Sequence, residues 1–194
     1  APYSSGQNNT ALGYQALKAF TTGDNNTAVG YQAGYLISSG SYNVTMGYHA
    51  GYSLGGTFSN VMIGNYAGAL SNTINNRNVY VGDSAGRYLD TGIANVAIGF
   101  QAMESTSATN QNASYNTAVG YHALESITDA DYNTAIGQAA GQNIEGGSGQ
   151  NVFIGNSAGI SSVTSAFNIM IGVNAGVGAT DVDKTVLIGW NAGR

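Results

Sequence analysis

The sequence predicts an all-β fold, a parallel β-solenoid (β-roll) of about eleven coils, and three observations support this prediction. A nine-residue frame recurs eleven times: Asn, a β-branched residue, a variable residue, an aliphatic residue, Gly, two variable residues, Ala, then Gly, Leu or Met. Successive frames are 17 or 18 residues apart in all but one step, which suits one solenoid coil and is too short for a helical hairpin. Apolar residues alternate within each frame at the two-residue period of a strand. The coils are numbered by their central glycines, which are Gly13, Gly30, Gly47, Gly64, Gly82, Gly99, Gly120, Gly137, Gly155, Gly172 and Gly189.

Each frame predicts one short strand before its central glycine. The residue three before this glycine is always β-branched, and the β-branched column comprises Thr10, Thr27, Val44, Val61, Val79, Val96, Thr117, Thr134, Val152, Ile169 and Val186. The residue one before it is always aliphatic, and the aliphatic column comprises Leu12, Val29, Met46, Ile63, Val81, Ile98, Val119, Ile136, Ile154, Ile171 and Ile188. Because positions two apart point to one side of a strand, we expect both columns to line the interior of the coil.

The middle column lies between these two and carries no charge, Asn or Gln in any coil. A strand face that meets water normally carries polar residues, so we expect the middle column to face outward under a second copy of the chain. Packing along a common axis would cover every coil, which predicts a coaxial oligomer. Its predicted interface is Ala28, Met62, Tyr80, Phe153, Met170 and Leu187.

The turns follow the strand. Alanine stands three residues after every central glycine, where a small side chain suits a backbone reversal across a narrow core. The next residue is Gly in eight coils but Leu17, Met103 and Leu124 in the others, so we expect positive φ not to be required there. Asn opens every frame except the last, which has Thr185, and stacked asparagines are expected to bond one another up the solenoid.

Residues 1–8 are predicted to be a lead-in and residues 9–194 one solenoid repeat domain, the fragment of a longer fibre, since polar end caps are missing. Of the 15 charged residues only Asp83 lies inside a frame, so the connectors form the solvated edge of the rod. The longest connector carries an insertion over residues 105–114.

Composition excludes several functions. The net charge is −5 and charged residues make up 8% of the chain, which argues against nucleic acid and other polyanions as partners. No apolar run approaches the roughly 20 residues of a membrane span, so we expect no membrane insertion. The absence of cysteine excludes thiolate metal sites and is compatible with an extracellular location.

Two of the frames, 26–34 (NTAVGYQAG) and 116–124 (NTAVGYHAL), resemble the head repeats of phage tail fibres and related bacterial surface fibres. The frame is also similar to the Asn-Ser-Val-Ala-Ile-Gly repeat of trimeric autotransporter adhesin heads, which are β-rolls joined as trimers. The resemblance implies a homotrimer, with two further copies of the chain as partners, on a virion tail fibre or a bacterial cell surface. It implies an adhesive head segment that recognises a cell-surface glycan or protein, or alternatively a passive shaft that spaces a binding tip from its anchor.

Aromatic residues are the candidate ligand contacts, with a neutral or cationic glycan or a surface protein as the expected ligand. They could stack on sugar rings, or on one another in adjacent coils to shield the strand edge. The candidates are Tyr14, Tyr31, Tyr48, Phe100, Tyr121 and Trp190, each directly after a central glycine, and Tyr115 in a connector.

Metal, cofactor and catalytic chemistry are not expected. His49 and His122 occupy equivalent positions but lie several coils apart, too far for one metal ion within a chain. A three-fold axis could bring three copies of His49 together, but an exposed, hydrogen-bonding histidine is the favoured interpretation. Glu104 and Glu125, in adjacent coils, are a conceivable catalytic carboxyl pair, but the surrounding Ser, Thr and Ala residues suggest neither a cleft nor a raised pKa. A threonine array for ice binding is disfavoured, because the β-branched column is expected to point inward. Two pairs of connector aspartates are interpreted as solvated turn acids: Asp129 with Asp131, and Asp181 with Asp183.

Overall fold

The computed structural model describes residues 5–70, 76–105, 111–145, 149–162, 164–180 and 182–194. These residues contain eleven strands of three residues each and no helix. The strands form one sheet in chain order, and every neighbouring pair is parallel, so the predicted parallel β-solenoid is confirmed. The strands are β1 (Thr10–Leu12), β2 (Thr27–Val29), β3 (Val44–Met46), β4 (Val61–Ile63), β5 (Val79–Val81), β6 (Val96–Ile98), β7 (Thr117–Val119), β8 (Thr134–Ile136), β9 (Val152–Ile154), β10 (Ile169–Ile171) and β11 (Val186–Ile188).

Equivalent positions of neighbouring frames pair throughout the sheet. Even across the longest connector, Val96 pairs with Thr117, so the 105–114 insertion leaves the register unchanged. Part of that insertion, 106–110, lies outside the described residues. Within the predicted lead-in, the N–H of Ser5 already donates to the Thr21 carbonyl at 3.0 Å, so stacking on the next coil begins before residue 9.

The prediction that the middle column faces outward is wrong. In a single chain, five of the six predicted interface residues are fully buried, and Leu187, in the last coil, packs against the same core. A side chain enclosed by its own coil cannot contact another copy. The β-branched and aliphatic columns instead point outward, and β3 shows the inversion, since Thr45 is buried while Met46 is exposed. The predicted interface residues that are core residues are Ala28, Met62, Tyr80, Phe153, Met170 and Leu187.

Complementary side-chain sizes explain why the middle column lies inside. Within each coil, the residue of the middle column packs against the residue that stands four positions after the central glycine. A Cβ placed on Gly86 would lie 2.4 Å from Cδ2 of Tyr80, and one on Gly159 would lie 2.2 Å from Cδ1 of Phe153, so a large middle residue requires glycine opposite it. Where the opposite residue is large, the middle residue is alanine: Ala11 faces Leu17, Ala97 faces Met103, and Ala118 faces Leu124.

The left-handed turn is kept even where glycine is absent. Leu17, Met103 and Leu124 have φ of 51°, 51° and 50°, so the prediction that positive φ is not required at these positions is wrong. A non-glycine residue in this region costs roughly 1–2 kcal/mol. Met103 and Leu124 are fully buried, and burying such a side chain stabilises by about 1.5–3 kcal/mol, which offsets the strain.

The predicted asparagine ladder is confirmed and locks the coils together. The side-chain Nδ2 of Asn43 donates to Oδ1 of Asn26 at 3.0 Å and to the carbonyl of Thr57 at 2.8 Å. The ladder ends where the backbone N–H of Thr185 donates to Oδ1 of Asn168 at 2.9 Å. Each buried asparagine thereby satisfies backbone groups that solvent cannot reach, and the resulting rigid stack fixes the surfaces described next.

Candidate assembly and ligand-binding surfaces

An uncharged, mainly aliphatic face runs along the outside of the sheet. We call it the sheet face, and it consists of the β-branched column together with the aliphatic column. At roughly 4.8 Å per strand, eleven strands make it about 50 Å long. Its side chains are half-buried or exposed in the single chain, and a contiguous apolar patch of this length is typical of an interaction surface. Only four of its positions are polar, namely Thr10, Thr27, Thr117 and Thr134.

The prediction that the β-branched column points inward is wrong, so the direction of this column does not exclude a threonine array for ice binding. The composition nevertheless differs from such an array. Seven of the eleven β-branched positions are Val or Ile, and every position of the aliphatic column lacks a hydroxyl. The sheet face therefore offers methyl groups far more than hydroxyls, which suits contact with another apolar surface.

The aromatic residues after the central glycines line one edge of the sheet face, and we call them the glycine-edge aromatics. The ring centroids of Tyr14 and Tyr31 lie 5.3 Å apart, those of Tyr31 and Tyr48 lie 5.2 Å apart, and Phe100 stacks on Tyr121 at 5.3 Å. These residues are also exposed. Neighbouring rings therefore cover one another's faces, and a ligand would meet ring edges and hydroxyl groups.

Trp190 and Tyr115 depart from this arrangement. Trp190 is 77% exposed and has no ring partner among the described residues. Tyr115 precedes β7 whereas Tyr121 follows it, so the structure places these two predicted ligand contacts on opposite edges of the sheet face. Tyr115 stacks on Tyr132 with centroids 4.9 Å apart. The candidate aromatic residues thus form two separate surfaces.

The imidazole ring of His49 packs against the glycine-edge aromatics. Its ring stacks on Tyr48 at 4.2 Å and on Tyr52 at 4.9 Å, and Tyr66 meets it edge-on at 5.2 Å. Nε2 of His49 is buried without a hydrogen-bond partner. Burial lowers the pKa of His49 below its ordinary value, because the charged form loses hydration there. The imidazole is therefore a packing element of this cluster.

The two glutamates considered above as a catalytic pair each have other partners. Glu104 lies 3.7 Å from the Arg87 guanidinium, and Glu125 lies 2.7 Å from Nδ1 of His122 and also accepts a hydrogen bond from Gln142. Burial raises the pKa of Glu104, and the nearby Arg87 charge opposes that shift. The Arg87 and Gln142 contacts join neighbouring coils, whereas the His122 contact lies within one coil.

Connector aspartates cap backbone groups of the preceding coil. Oδ1 of Asp131 accepts the N–H of Ser114 at 2.7 Å, and Oδ1 of Asp183 accepts the N–H of Ala166 at 2.7 Å. Asp181, the partner of Asp183 in the predicted pair, lies outside the described residues. Within the described part of the chain, no three His, Asp or Glu side chains are grouped as metal ligands would be.

A cavity that sequence reasoning missed opens on the same edge as Tyr115. It has a volume of about 270 Å³ and spans coils four to six. No sequence motif marks it, because its walls come from three coils. Its lining residues are Phe58, Ser59, Asn76, Arg77 and Ile93.

Comparison with protein-family models, with curated proteins and with solved structures gave no match. Among the described residues, none forms a helix with the length and apolarity needed to cross a membrane. The functional argument therefore depends on the surfaces of the solenoid itself.

Proposed function

We propose that this chain is an adhesive segment of a homotrimeric extracellular fibre, displayed on a virion tail or a bacterial cell, whose three sheet faces pack around a common axis. The single observation that carries the proposal is the sheet face, which extends through all eleven coils without a charged residue. Leaving such a face in water is unfavourable, and a second and third copy in the same register would cover it along its whole length.

The sheet face has more than half the area of a standard protein interface. A length of about 50 Å and a width of roughly 10 Å give on the order of 500 Å² per chain. Standard protein interfaces bury about 800 Å² per partner. The trimeric state follows the resemblance to trimeric fibre heads, while the interface residues follow from the outward direction of the two columns.

Exposed aromatic residues on both edges favour direct recognition of a cell-surface glycan or protein. Their pattern is irregular: Tyr115 and Tyr132 stack in coils seven and eight, whereas Ser59 and Ala94 stand at the equivalent position elsewhere. A shaft needs only regular coils, and coil-to-coil variation gives a surface something specific to recognise. The passive shaft remains the second candidate, favoured by the regularity of the sheet face.

Aspartate substitutions on matched exposed residues test the assembly. Ile98 lies on the sheet face and is 39% exposed, while Leu36 lies on the connector side and is 40% exposed. We expect Ile98→Asp to convert the trimer to monomer at micromolar concentration, because a charge would be buried in the apolar interface, and Leu36→Asp to leave the trimer intact. Molar mass from sedimentation equilibrium measures this. A monomeric wild-type chain, or equal masses for both variants, would contradict the proposal.

Whole-cell binding separates adhesion from spacing. The intact trimer should bind its target cells, and replacing Tyr115 and Tyr121 together by Ala should reduce binding while the molar mass stays unchanged. Three copies on one axis raise avidity, so weak individual contacts are sufficient. A trimer that binds no candidate host cell would favour the shaft.

A further inference from the structure

We propose that the cavity between coils four and six binds one acidic pyranose residue of a surface glycan, with Arg77 holding its carboxylate and Phe58 supporting its ring. This inference rests on the proposed adhesive function and identifies the ligand class for one site on each chain. The site lies wholly within a single chain, so three copies of it stand at one level of the proposed trimer.

Two of the coils that form the cavity lack a side-chain hydrogen bond that most coils make. At the sixth position before the central glycine, most coils carry a side-chain oxygen that accepts a backbone N–H of the preceding coil. Asp24 accepts from Gln7 at 2.7 Å, and Asn76 accepts from Phe58 at 2.7 Å. Four coils have no side-chain oxygen at this position, and two of these, coils four and six, carry the large apolar residues Phe58 and Ile93. Both apolar side chains instead line the cavity on either side of Arg77.

Hydrogen bonds fix the walls of the cavity in advance. The N–H of Arg77 donates to the Phe58 carbonyl at 3.1 Å, and the N–H of Ala94 donates to the Asn76 carbonyl at 3.0 Å. Arg77 itself has φ of 60°, the left-handed conformation that every coil adopts at this position. A ligand would therefore enter a site whose backbone is already ordered, which lowers the entropic cost of binding.

Arg77 supplies the charge that selects the ligand. Arg87 pairs with Glu104, whereas Arg77 has no carboxylate within ion-pairing distance among the described residues. Its neighbours in the same column are the small residues Ser59 and Ala94, and Arg77 is itself exposed. A guanidinium presents two parallel N–H donors that match a carboxylate, whereas a neutral sugar has no equivalent group.

Phe58 provides the apolar platform. It is 45% exposed and, unlike the glycine-edge aromatics, stacks on no other ring among the described residues. One face of its ring is thus available for the C–H groups of a sugar. The polar side chains of Ser59 and Asn76 line the same cavity and can bond sugar hydroxyls.

The volume of the cavity limits the ligand to about one ring. A volume of about 270 Å³ is below the roughly 300 Å³ at which sites for drug-sized ligands begin. The chain has a net charge of −5, which repels a polyanion but allows one carboxylate beside a local cation. One acidic sugar residue within an otherwise neutral glycan fits both limits.

Titration with a matched pair of sugars tests the site. We would add methyl glucuronide, and separately methyl glucoside, to the full chain and follow binding by ligand-observed NMR. Methyl glucuronide should bind and methyl glucoside should bind at least about tenfold more weakly, because it lacks the carboxylate. Equal binding of the two sugars, or no binding of methyl glucuronide, would overturn the proposal.

Charge-matched variants locate the binding. Lys184 occupies the same column as Arg77, also with positive φ, and is the control. We expect Arg77→Gln to weaken methyl glucuronide binding at least about tenfold, Arg77→Lys to weaken it less, and Lys184→Gln to leave it unchanged. Equal effects of Arg77→Gln and Lys184→Gln would show only general attraction to positive charge and would refute the site.

Molar mass and whole-cell binding, measured on the same wild-type sample as methyl glucuronide binding, separate this inference from the proposed function. A wild-type trimer that binds cells but not methyl glucuronide refutes only the cavity. Methyl glucuronide binding by a wild-type chain that is monomeric and binds no cells refutes only the adhesive trimer.

Discussion

Exchanging the sizes of two residues in coil nine tests the packing rule that places the middle column inside. Phe153 is fully buried, so Phe153→Ala should lower the free energy of unfolding by about 3–5 kcal/mol. Gly159→Leu should also destabilise, because its Cβ would lie 2.2 Å from Cδ1 of Phe153. Overpacking costs about 1–3 kcal/mol and left-handed strain adds roughly 1–2 kcal/mol.

Combining the two substitutions should recover stability. The double variant reproduces coil seven, where Ala118 faces a fully buried Leu124. The clash disappears and the new leucine fills the space left by phenylalanine, so burial should return about 1.5–3 kcal/mol. We therefore expect the double variant to be more stable than Phe153→Ala alone, despite the strain that remains at position 159.

Urea unfolding followed by circular dichroism at one fixed protein concentration measures these differences. Phe153→Ala combined with Gly86→Leu is the control, since Gly86 packs against Tyr80 four coils away. Its two effects should add within about 0.5 kcal/mol. If the coil-nine pair were equally additive, the two residues would not share one space and the packing rule would fail.

Two further predictions concern the asparagine ladder and the buried histidine. Asn95→Ala should lower the free energy of unfolding in urea by about 2–4 kcal/mol, because the N–H of Asn116 and the carbonyl of Ala113 both lose a buried partner. The control Asn65→Ala, at an exposed position, should change the free energy of unfolding by less than about 0.5 kcal/mol. Similar losses of stability in the two variants would argue against the ladder. Because burial lowers the pKa of His49, its unfolded form binds protons more readily, so stability should fall as the pH drops from above its ordinary value of 6.5 to below the folded pKa. His49→Gln should make the urea midpoint less dependent on pH across that window, and an unchanged pH dependence would show that another group causes it.

Sequence periodicity predicted the strands, the register and the asparagine ladder, because these features repeat with every coil. Val96 pairs with Thr117 despite the long connector, as the alignment of frames requires. Periodicity could not orient the strand, since both of its sides are apolar and no polar side marks the solvent. The informative signal was size: Ala118 accompanies Leu124, whereas Tyr80 accompanies Gly86.

The candidate sites were predicted less completely than the fold. Tyr14 and Tyr31 are exposed and also stack on each other, so the two interpretations of the aromatic residues were not exclusive. The cavity depends on three coils at once, because Phe58 and Ile93 are 35 residues apart in the chain and come together only when the coils stack. The residues of any single coil therefore do not predict such a site.

The sequence by itself determined that the chain is a parallel β-solenoid with one strand per coil, because a repeat of about 17 residues is too short for a helical hairpin and apolar residues alternate within each frame as in a strand. The tertiary structure alone decided which side of each strand is the core. Left-handed turns after the central glycine direct the alanine column and the residue following it toward the middle column, and the space shared by the middle residue and the residue opposite it holds one large side chain. The uniform β-branched and aliphatic columns are thereby left outside, where they form the sheet face.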